Sequence, residues 1–336
     1  MTEPSAFMET MDTTPAQPLV YIVLLDYDGR DDTVECLESL RRLDYGNFKI
    51  LLIDNGSKRS CMEEVRGRFP HVLTRRIEPN RGFMGGCNVG IREALDAGAK
   101  YVWLLNNDTV VEPSALSALV REAEADPRCG ILGSKIFYYG EREILQHAGG
   151  ALDLETGRLS HLGFLCRDEG RFDRVEEVFY VTGCSMLARA AMIREVGLME
   201  EIYVFYFDDI DWCVRARRKG WGVKYVPGSV LYHKLSTVAG GIRSPAYVYA
   251  YSRSYLLFFL LNYPALFPRA LLSWWVRDFP LRFLRERNAA NVAASCRGLA
   301  GMVAVAPRLA WRALGRRAPL PEDYPSPRPR NTLTAL

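Results

Sequence analysis

Three apolar runs in the first third of the chain each end abruptly in a cluster of polar side chains. They are LVYIVLLDYD (Leu19 to Asp28), FKILLIDNGS (Phe48 to Ser57) and KYVWLLNND (Lys100 to Asp108). Helical patterns of apolar residues lie between them, and strands that alternate with helices predict right-handed crossovers and a mostly parallel sheet. Ligands bind such sheets beyond the carboxyl ends of the strands. We therefore expect the polar clusters to line one cleft.

The charge of the chain is unevenly distributed. The 336 residues carry a formal net charge of +3, but residues 269–336 hold twelve Arg against four acidic residues, a net +8 that leaves −5 for the rest. An acidic body with a basic end argues against a general nucleic-acid-binding protein. It allows the basic end to meet an anionic surface such as phospholipid head groups.

The cysteines and the chain ends indicate a cytoplasmic protein. The eight cysteines are scattered without a CxxC pair, which favours reduced thiols over disulfides or a zinc site. Residues 1–18 lack the pattern of a signal peptide, and we expect a disordered tail there. The longest apolar run, Tyr255 to Phe267, is shorter than the ~20 residues that span a bilayer, so no transmembrane helix is expected.

Two strand ends carry residues suited to nucleotide or metal chemistry. Asp108 could hold Mg²⁺ or Mn²⁺ through oxygen, although local propensity by itself favours an ordinary turn or helix cap. Asp54 and Asn55 could bind a base or ribose, or form a simple turn. The glycine-rich segment from Asn80 to Gly90 permits close backbone approach but matches neither the dinucleotide fingerprint nor a P-loop.

An acidic cluster and a histidine complete the candidate chemistry. Asp208, Asp209 and Asp211 open a predicted helix, where they can simply complement the helix dipole. Because like charges repel, one of them is alternatively expected to have a raised pKa suited to a general base. His233 ends an apolar strand and is either a core histidine or a metal ligand.

The order of these motifs is more informative than any one of them. VYIVLLDYD and FKILLIDNGS are followed by NRGFMGGCNVGI, WLLNNDTVVEP, VTGCSM, YVFYFDDIDWCVRARRKG and LYHKLST. This series resembles the GT-A glycosyltransferases of family 2, especially the bacterial rhamnosyltransferase-like branch, over residues 19–261. The resemblance implies an α/β GT-A fold, Rossmann-like, with a mostly parallel central sheet flanked by helices. We predict a catalytic domain at 19–245, a helical C-terminal extension at 246–318 and a Pro-rich flexible tail at 319–336.

The resemblance also implies roles for individual residues. The catalytic base is Asp209, with Asp208 and Asp211 orienting the acceptor. The metal, Mg²⁺ or Mn²⁺, binds Asp108 and His233. Gly183 and Cys184 face the donor sugar. The nucleotide is bound by Tyr27, Asp54, Asn55, Asn80, Gly82, Asn88 and Asn107. The chain reads DYD where the family often has NYN, and DD where ED is frequent, which weakens individual roles more than the family assignment.

The implied reaction is the inverting, metal-dependent transfer of one sugar from a nucleotide-diphosphate donor to a hydroxyl of a saccharide or lipid-linked acceptor. Rhamnose from a dTDP-sugar is the leading expectation, and UDP-hexoses stay open. Three alternatives remain: an inactive sugar-nucleotide-binding or scaffold protein, a processive polysaccharide synthase and a nucleotidyltransferase. The synthase is disfavoured because no QxxRW motif is present, and the nucleotidyltransferase because no glycine-rich triphosphate motif is recognisable.

Residues 269–317 interleave aromatic and basic side chains. Trp274, Trp275 and Phe279 alternate with Arg277 and Arg282, a mixture that suits helices at a membrane interface. The same pattern serves helices that pack on the catalytic domain or form a homo-oligomer contact. The membrane alternative predicts a peripheral enzyme at the inner face of the membrane that acts on a lipid-linked saccharide.

Overall fold

The structure is a computed structural model that describes residues 17–153, 156–203, 205–234, 244–278 and 288–315. Its strands are β1 Val20–Asp26, β2 Phe48–Asp54, β3 Leu73–Arg76, β4 Tyr101–Asn106, β5 Thr109–Val111, β6 Cys129–Tyr138, β7 Leu145–His147, β8 Gly150–Asp153, β9 Arg158–His161, β10 Glu176–Glu177, β11 Ser185–Arg189 and β12 Gly222–His233. Its helices are α1 Arg30–Leu40, α2 Met62–Arg68, α3 Gly82–Asp96, α4 Ala115–Ala125, α5 Ala190–Val196, α6 Asp208–Arg218, α7 Pro245–Asn262, α8 Phe267–Ser273 and α9 Ala289–Gly315.

One mixed sheet organises the fold, and its main path runs β10-β12-β6-β11-β4-β1-β2-β3. The pairs from β3 through β4 are parallel, as the alternation of strands and helices predicts. β11 then enters antiparallel between β4 and β6. The second half contains another parallel pair, because β12 runs alongside β6 in the same direction. The shorter strands β5, β7, β10 and β11 pair antiparallel and need no crossover helix. The expectation of a mostly parallel central sheet is therefore confirmed, with short antiparallel additions.

Helices cover both faces of the sheet, and β1 shows why its sequence is continuously apolar. Val20, Ile22 and Leu24 pack on the side that carries α1 and α4. Tyr21 and Val23 pack on the opposite side, which carries α3, α5, α6 and α7. A strand buried on both faces has no polar position until it leaves the sheet. The polar residues after Leu25 therefore mark the edge of the core.

Helix α3 lies unusually close to β1 because two of its residues lack side chains. A Cβ built on Gly90 would lie 2.4 Å from Cγ1 of Val23, and one on Gly86 would lie 2.3 Å from Cδ1 of Leu25. Such contacts are closer than atoms tolerate, so a side chain at Gly90 would push the helix away from the stiff Val23, whereas one at Gly86 would first displace the end of the Leu25 side chain. The glycines of this segment thus set the helix–sheet distance.

This close packing predicts opposite effects for two Gly→Ala substitutions. Gly90→Ala should lower the free energy of unfolding by about 1–3 kcal/mol through overpacking against Val23. Gly67→Ala in α2, where an added Cβ meets nothing within 4 Å, should raise it by about 0.5–1 kcal/mol through helix propensity. Urea unfolding of both variants measures the difference. Equal stability of the two would contradict the packing explanation.

The C-terminal helices are tied to the rest of the fold by hydrogen bonds from α7. Asn262 donates to Oδ1 of Asp211 at 2.7 Å, and Nη1 of Arg253 donates to the carbonyl of Ile202 at 2.7 Å. α9 packs closely on α7, since a Cβ on Gly298 would lie 2.9 Å from Cβ of Ser252. The predicted packing of this extension on the catalytic half is therefore present.

The sequence predicts no helix long and apolar enough to cross a membrane, but part of α9 meets that description. Within the described residues, Ala289–Pro307 forms a helix long and apolar enough, by length and composition alone, to cross a membrane. Only 28% of that stretch is buried. The expectation of no such helix came from the longest uninterrupted apolar run and overlooked an Ala- and Gly-rich helix broken by polar residues. The run at Tyr255 to Phe267 instead contributes the buried end of α7 and the turn that follows.

The predicted N-terminal tail is too long by two residues. Oε1 of Gln17 accepts a hydrogen bond from the amide of Gly46 at 3.0 Å, and the carbonyl of Pro18 accepts one from the hydroxyl of Tyr45 at 2.5 Å. These bonds attach the chain to the segment before β2. Residues 1–16 and the predicted Pro-rich tail at 319–336 lie outside the described residues.

Candidate active site

The residues predicted to act together lie at one edge of the sheet. β1, β2 and β4 run parallel and end at Asp26, Asp54 and Asn106. β11 runs the other way, so its first residue, Ser185, pairs with Leu105, and the segment before it reaches the same edge. β12 ends there as well, because its last residue pairs with the first residue of β5. The edge thus collects side chains from five separate parts of the chain.

The fully buried carboxylate of Asp26 connects these strand ends. Its Oδ1 accepts hydrogen bonds from the amide of Gly29 at 3.0 Å, the hydroxyl of Thr33 at 2.9 Å and Nδ2 of Asn107 at 3.1 Å. Its Oδ2 accepts from the hydroxyl of Ser57 at 3.3 Å. Burial raises the pKa of Asp26 despite these bonds. The sequence analysis placed Asp26 at this edge but did not select it, because its partners come from distant segments.

On the nucleotide side, Asp54 is enclosed and held as an anion. Its Oδ1 accepts from the amide of Ser57 at 2.8 Å, and its Oδ2 pairs with Nη1 of Arg76 at 2.6 Å. Burial alone would raise the pKa of this carboxyl, but hydrogen bonds from Ser60 and Ser57 and the charge of Arg76 outweigh it and lower the pKa. The carboxylate is thus fixed in position. Pairing of Asp54 with a base stays a prediction.

Asn55 is hydrogen-bonded to the protein on both sides of its amide, and its contact with the nucleotide stays a prediction. Its Oδ1 accepts from the amide of Arg81 at 2.9 Å. Its Nδ2 donates to the carbonyl of Gly82 at 2.9 Å and to Oδ1 of Asn80 at 3.2 Å. The side chain therefore fastens the glycine-rich loop to the end of β2. Gly82 has a φ of +73°, a conformation that favours glycine.

The side chain of Asn88 is likewise bonded to the protein, and its role as a nucleotide ligand stays a prediction. Its amide is buried and donates to the carbonyl of Met199 at 3.0 Å and to Oε1 of Glu201 at 2.9 Å, while its Oδ1 accepts from the amide of Met199. It joins α3 to the segment before the acidic cluster. Of the remaining nucleotide candidates, Asn80 is exposed and Tyr27 is half-buried, so both are accessible to a ligand.

Asn107, another predicted nucleotide residue, uses one end of its side-chain amide to bond to the protein. Its amide nitrogen donates to Asp26, and also to the hydroxyl of Thr33 at 2.8 Å. Both bonds point into the protein. A ligand contact from Asn107 would therefore come from its side-chain oxygen.

Asp108 and His233, the predicted metal ligands, lie side by side. Oδ1 of Asp108 is 3.1 Å from Nε2 of His233. Nδ1 of His233 lies 2.9 Å from Oε1 of Gln146, and because a carbonyl oxygen only accepts, Nδ1 carries a proton. Nε2 is thereby directed towards Asp108. Gln146 belongs to no recognisable sequence motif, so the sequence does not mark it as a site residue. Its contact with His233 arises because β7 lies next to the end of β12.

The chemistry of this pair fits a divalent cation. A carboxylate oxygen and an imidazole nitrogen are ligands that Mn²⁺ accepts. The buried Oδ1 of Asn106 has no hydrogen-bond partner in the structure, and its Nδ2 lies 3.4 Å from Nε2 of His233. Among the described residues, no group of three or more His, Cys, Asp or Glu converges on a metal position. A cation bound by Asp108 and His233 would need further ligands from a bound diphosphate or water.

Cys184 lies beside the histidine. Burial alone would lower the pKa of His233, but Cys184 and Asp108 outweigh it and raise that pKa above its ordinary value. Cys184 is predicted to face the donor sugar, and the structure places it against the candidate metal ligands. Gly183, its neighbour, faces the acidic cluster instead.

The predicted base, Asp209, is held at the start of α6 by backbone amides. Its Oδ2 accepts from the amide of Gly183 at 3.0 Å, and its Oδ1 accepts from the amide of Ile210 at 2.8 Å. The two residues before the cluster, Tyr206 and Phe207, have φ values of +66° and +68°. Consecutive bulky residues in this region are strained, and such strain is concentrated at functional sites.

Burial raises the pKa values of the adjacent carboxyls of Asp208 and Asp209. Burial, with the charge of Asp209, raises the pKa of Asp208 well above its ordinary value. Burial also raises the pKa of Asp209, but hydrogen bonds from Gly183, Ile210 and Thr182 oppose that rise. The hydrogen bonds from Gly183 and Ile210 favour the ionised form of Asp209. A half-buried carboxylate with a raised pKa has the properties of a general base.

Asp211, predicted to orient the acceptor, lies in the interior of the protein. Its Oδ1 accepts from the hydroxyl of Tyr203 at 3.1 Å and from Nδ2 of Asn262 at 2.7 Å. Its Oδ2 pairs with Nε of Arg215 at 2.7 Å. It is fully buried, and it connects α6 to α7. An acceptor would have to displace these partners to reach it.

The hydrogen bonds to Asp209 predict how activity depends on pH. The base must be ionised, so kcat/KM should fall on the acid side with an apparent pKa above that of an ordinary aspartate. Thr182→Val removes a bond that stabilises the ionised form and should move this limb to higher pH.

Asp209→Asn should lower kcat by at least about 100-fold. Donor binding, measured by calorimetry, should stay within about twofold of wild type. Full activity of Asp209→Asn would exclude it as the base.

Comparisons with known proteins agree with this geometry. The family model described as glycosyl transferase family 2 matches residues 21–197. An N-acetylglucosaminyl-diphospho-decaprenol L-rhamnosyltransferase of Mycobacterium tuberculosis is 27% identical over 76% of this chain and 88% of its own. An uncharacterised protein of Sinorhizobium fredii is 30% identical over 68% of this chain, which spans only 26% of that protein. The crystal structure of GalNAc-T7 with UDP, GalNAc and Mn²⁺ superposes with a TM-score of 0.61 at 14% identity, over 91% of this chain and 59% of the other.

The fold and the matched family define a GT-A glycosyltransferase that uses a nucleotide sugar. The chain belongs to glycosyl transferase family 2. This confirms the expected enzyme class and excludes the nucleotidyltransferase alternative.

Proposed function

We propose that the enzyme inverts the anomeric centre of its donor and transfers one rhamnose from a dTDP-sugar to a hydroxyl of a lipid-linked saccharide. The observation that carries the proposal is that Asp209 and the pair Asp108–His233 lie at the same sheet edge. One end of that cleft offers a base. The other offers ligands for a diphosphate-bound cation.

The residues of the chain divide the reaction between them. Asp209 takes the proton of the acceptor hydroxyl, and the acceptor oxygen forms a bond to the anomeric carbon as the bond from that carbon to the diphosphate breaks. The amides of Gly183 and Ile210 hold the carboxylate in place before and after it is protonated. Attack from the side opposite the leaving group gives inversion, and no enzyme nucleophile is needed.

A divalent cation is the proposed cofactor. Asp108 and His233 would hold it, with Gln146 keeping the imidazole in the required orientation. When bound, it would neutralise charge that develops on the leaving diphosphate. The Mn²⁺ in the GalNAc-T7 structure supports this choice for the fold.

The rhamnosyltransferase of Mycobacterium tuberculosis supports the choice of donor and acceptor. The test compares dTDP-rhamnose with UDP- and GDP-sugars, each with and without Mn²⁺. We expect dTDP-rhamnose to give the largest thermal shift, and Mn²⁺ to enhance it by raising donor affinity. Gln146→Leu should weaken the Mn²⁺ effect without abolishing folding. A larger shift with another sugar nucleotide would overturn the donor assignment, and no response to Mn²⁺ would overturn the cofactor assignment.

The proposed place of work is the inner face of the membrane. Among the C-terminal side chains that the structure describes, Leu272, Trp275, Val276 and Val303 are large, apolar and exposed. Arg269 and Arg297 are exposed on the same helices. Apolar side chains combined with cations suit the head-group region of an anionic bilayer. A lipid-linked acceptor would be presented at that surface.

Flotation with liposomes tests this location. The protein should float with anionic vesicles at low salt, and the double substitution Trp275→Ser with Val276→Ser should reduce the floating fraction several-fold by removing apolar contact. Val175→Ser, at a similarly exposed apolar position outside these helices, is the matched control. Release by about 1 M salt identifies peripheral binding, and resistance to it would indicate insertion of α9. No flotation at any salt concentration would exclude the membrane proposal.

A further inference from the structure

An exposed aromatic side chain stands at the start of the acidic cluster. Phe205 is 42% exposed, and among the described residues Trp275 is the other Phe, Tyr or Trp exposed to this degree. Trp275 belongs to the C-terminal surface already discussed. Phe205 instead lies four residues before the proposed base. A singly exposed ring is ordinary, so what indicates a binding surface is the ring's fixed position and its link through Phe83 to the base.

The ring of Phe205 is held in place rather than left loose. The carbonyl of Phe205 accepts a hydrogen bond from the hydroxyl of Ser254 at 2.8 Å. Its ring centroid lies 6.3 Å from that of Phe83 and 5.7 Å from that of Tyr206. The left-handed backbone that follows it is maintained by these contacts. These contacts fix the position of the Phe205 ring at the surface.

Phe83 links Phe205 to the proposed base, Asp209. A Cβ built on Gly183 would lie 3.7 Å from Cε1 of Phe83 and 3.8 Å from Cβ of Asp209. The absence of a side chain at Gly183 therefore leaves a small space with an aromatic edge on one side and the carboxylate on the other. Phe205 extends that aromatic edge towards solvent.

We propose that Phe205, supported by Phe83, is a stacking surface for a pyranose ring of the acceptor. The C–H groups of a pyranose form an apolar face that packs on an aromatic ring, while its hydroxyls remain free for Asp209, which Phe83 approaches across Gly183. The acceptor is then a sugar in its ring form rather than an acyclic alcohol. This inference rests on the proposed function, because it assigns the acceptor side to the segment that carries Asp209.

Binding without turnover tests the stacking surface directly. Saturation-transfer NMR should show contact of the ring protons of methyl pyranosides with the wild-type protein, and much weaker contact of an acyclic alditol of similar size. Phe205→Ala should remove the pyranoside signal, and Phe205→Trp should retain it. Leu73→Ala, at an exposed position on the edge strand β3, is the control for a general surface effect. Equal signals in wild type and Phe205→Ala would overturn the proposal, whether or not the donor assignment is correct.

Kinetics with a defined acceptor separates stacking from damage to the loop. With dTDP-rhamnose and a short-chain alkyl N-acetylglucosaminyl diphosphate, Phe205→Ala should raise the acceptor KM up to about tenfold. Phe205→Leu should behave like Ala if the ring itself matters, and Phe205→Trp should stay within about threefold of wild type. Donor affinity and donor hydrolysis without acceptor should not change. An unchanged acceptor KM, or equal losses of donor binding and hydrolysis, would contradict the assignment. A wild-type protein that fails to bind the donor would instead refute the proposed function.

Discussion

The geometry of the cleft depends on the buried carboxylate of Asp26. A carboxylate in the interior is costly unless donors surround it, and the donors here belong to the ends of three neighbouring strands. Asn107 and Ser57 are two of them. Because all these groups must converge on two oxygen atoms, the strand ends cannot shift independently. The positions of Asp54 and Asp108 relative to each other follow from this arrangement.

The first half of the fold could be predicted because its physics is local. Strands buried on both faces give uninterrupted apolar runs, and their polar ends mark where the core stops. Asp54 and Asp108 were located in this way. The antiparallel entry of β11 could not be predicted, since nothing local states which neighbour a short buried strand will pair with. The contact between Gln146 and His233 could not be predicted for the same reason, because the two residues lie 87 positions apart in the chain.

The asparagines show what local motifs leave open. Asn55 and Asn88 stand in segments typical of nucleotide binding, but the amide of Asn88 is bonded to Met199, 111 residues further along the chain. An amide of this kind satisfies a ligand or a protein loop equally well, and the sequence does not distinguish the two. Asp211 is a similar case, because its partner Asn262 comes from the C-terminal helices. These bonds hold the segments of the site together, and they come from parts of the chain that no local motif connects.

These long-range contacts also explain why the C-terminal helices and the acidic cluster form one unit. A boundary at residue 245 falls at the start of α7, but the bonds from Arg253 to Ile202, Ser254 to Phe205 and Asn262 to Asp211 all cross it. Without α7, the strained backbone before Asp208 would lose the hydrogen bonds that hold it, and strained conformations persist only where their surroundings enforce them. The helices that present apolar surface to the proposed membrane are thus packed against the same segment that positions the base. Acceptor delivery from a membrane surface and the alignment of Asp209 would then depend on the same packed helices.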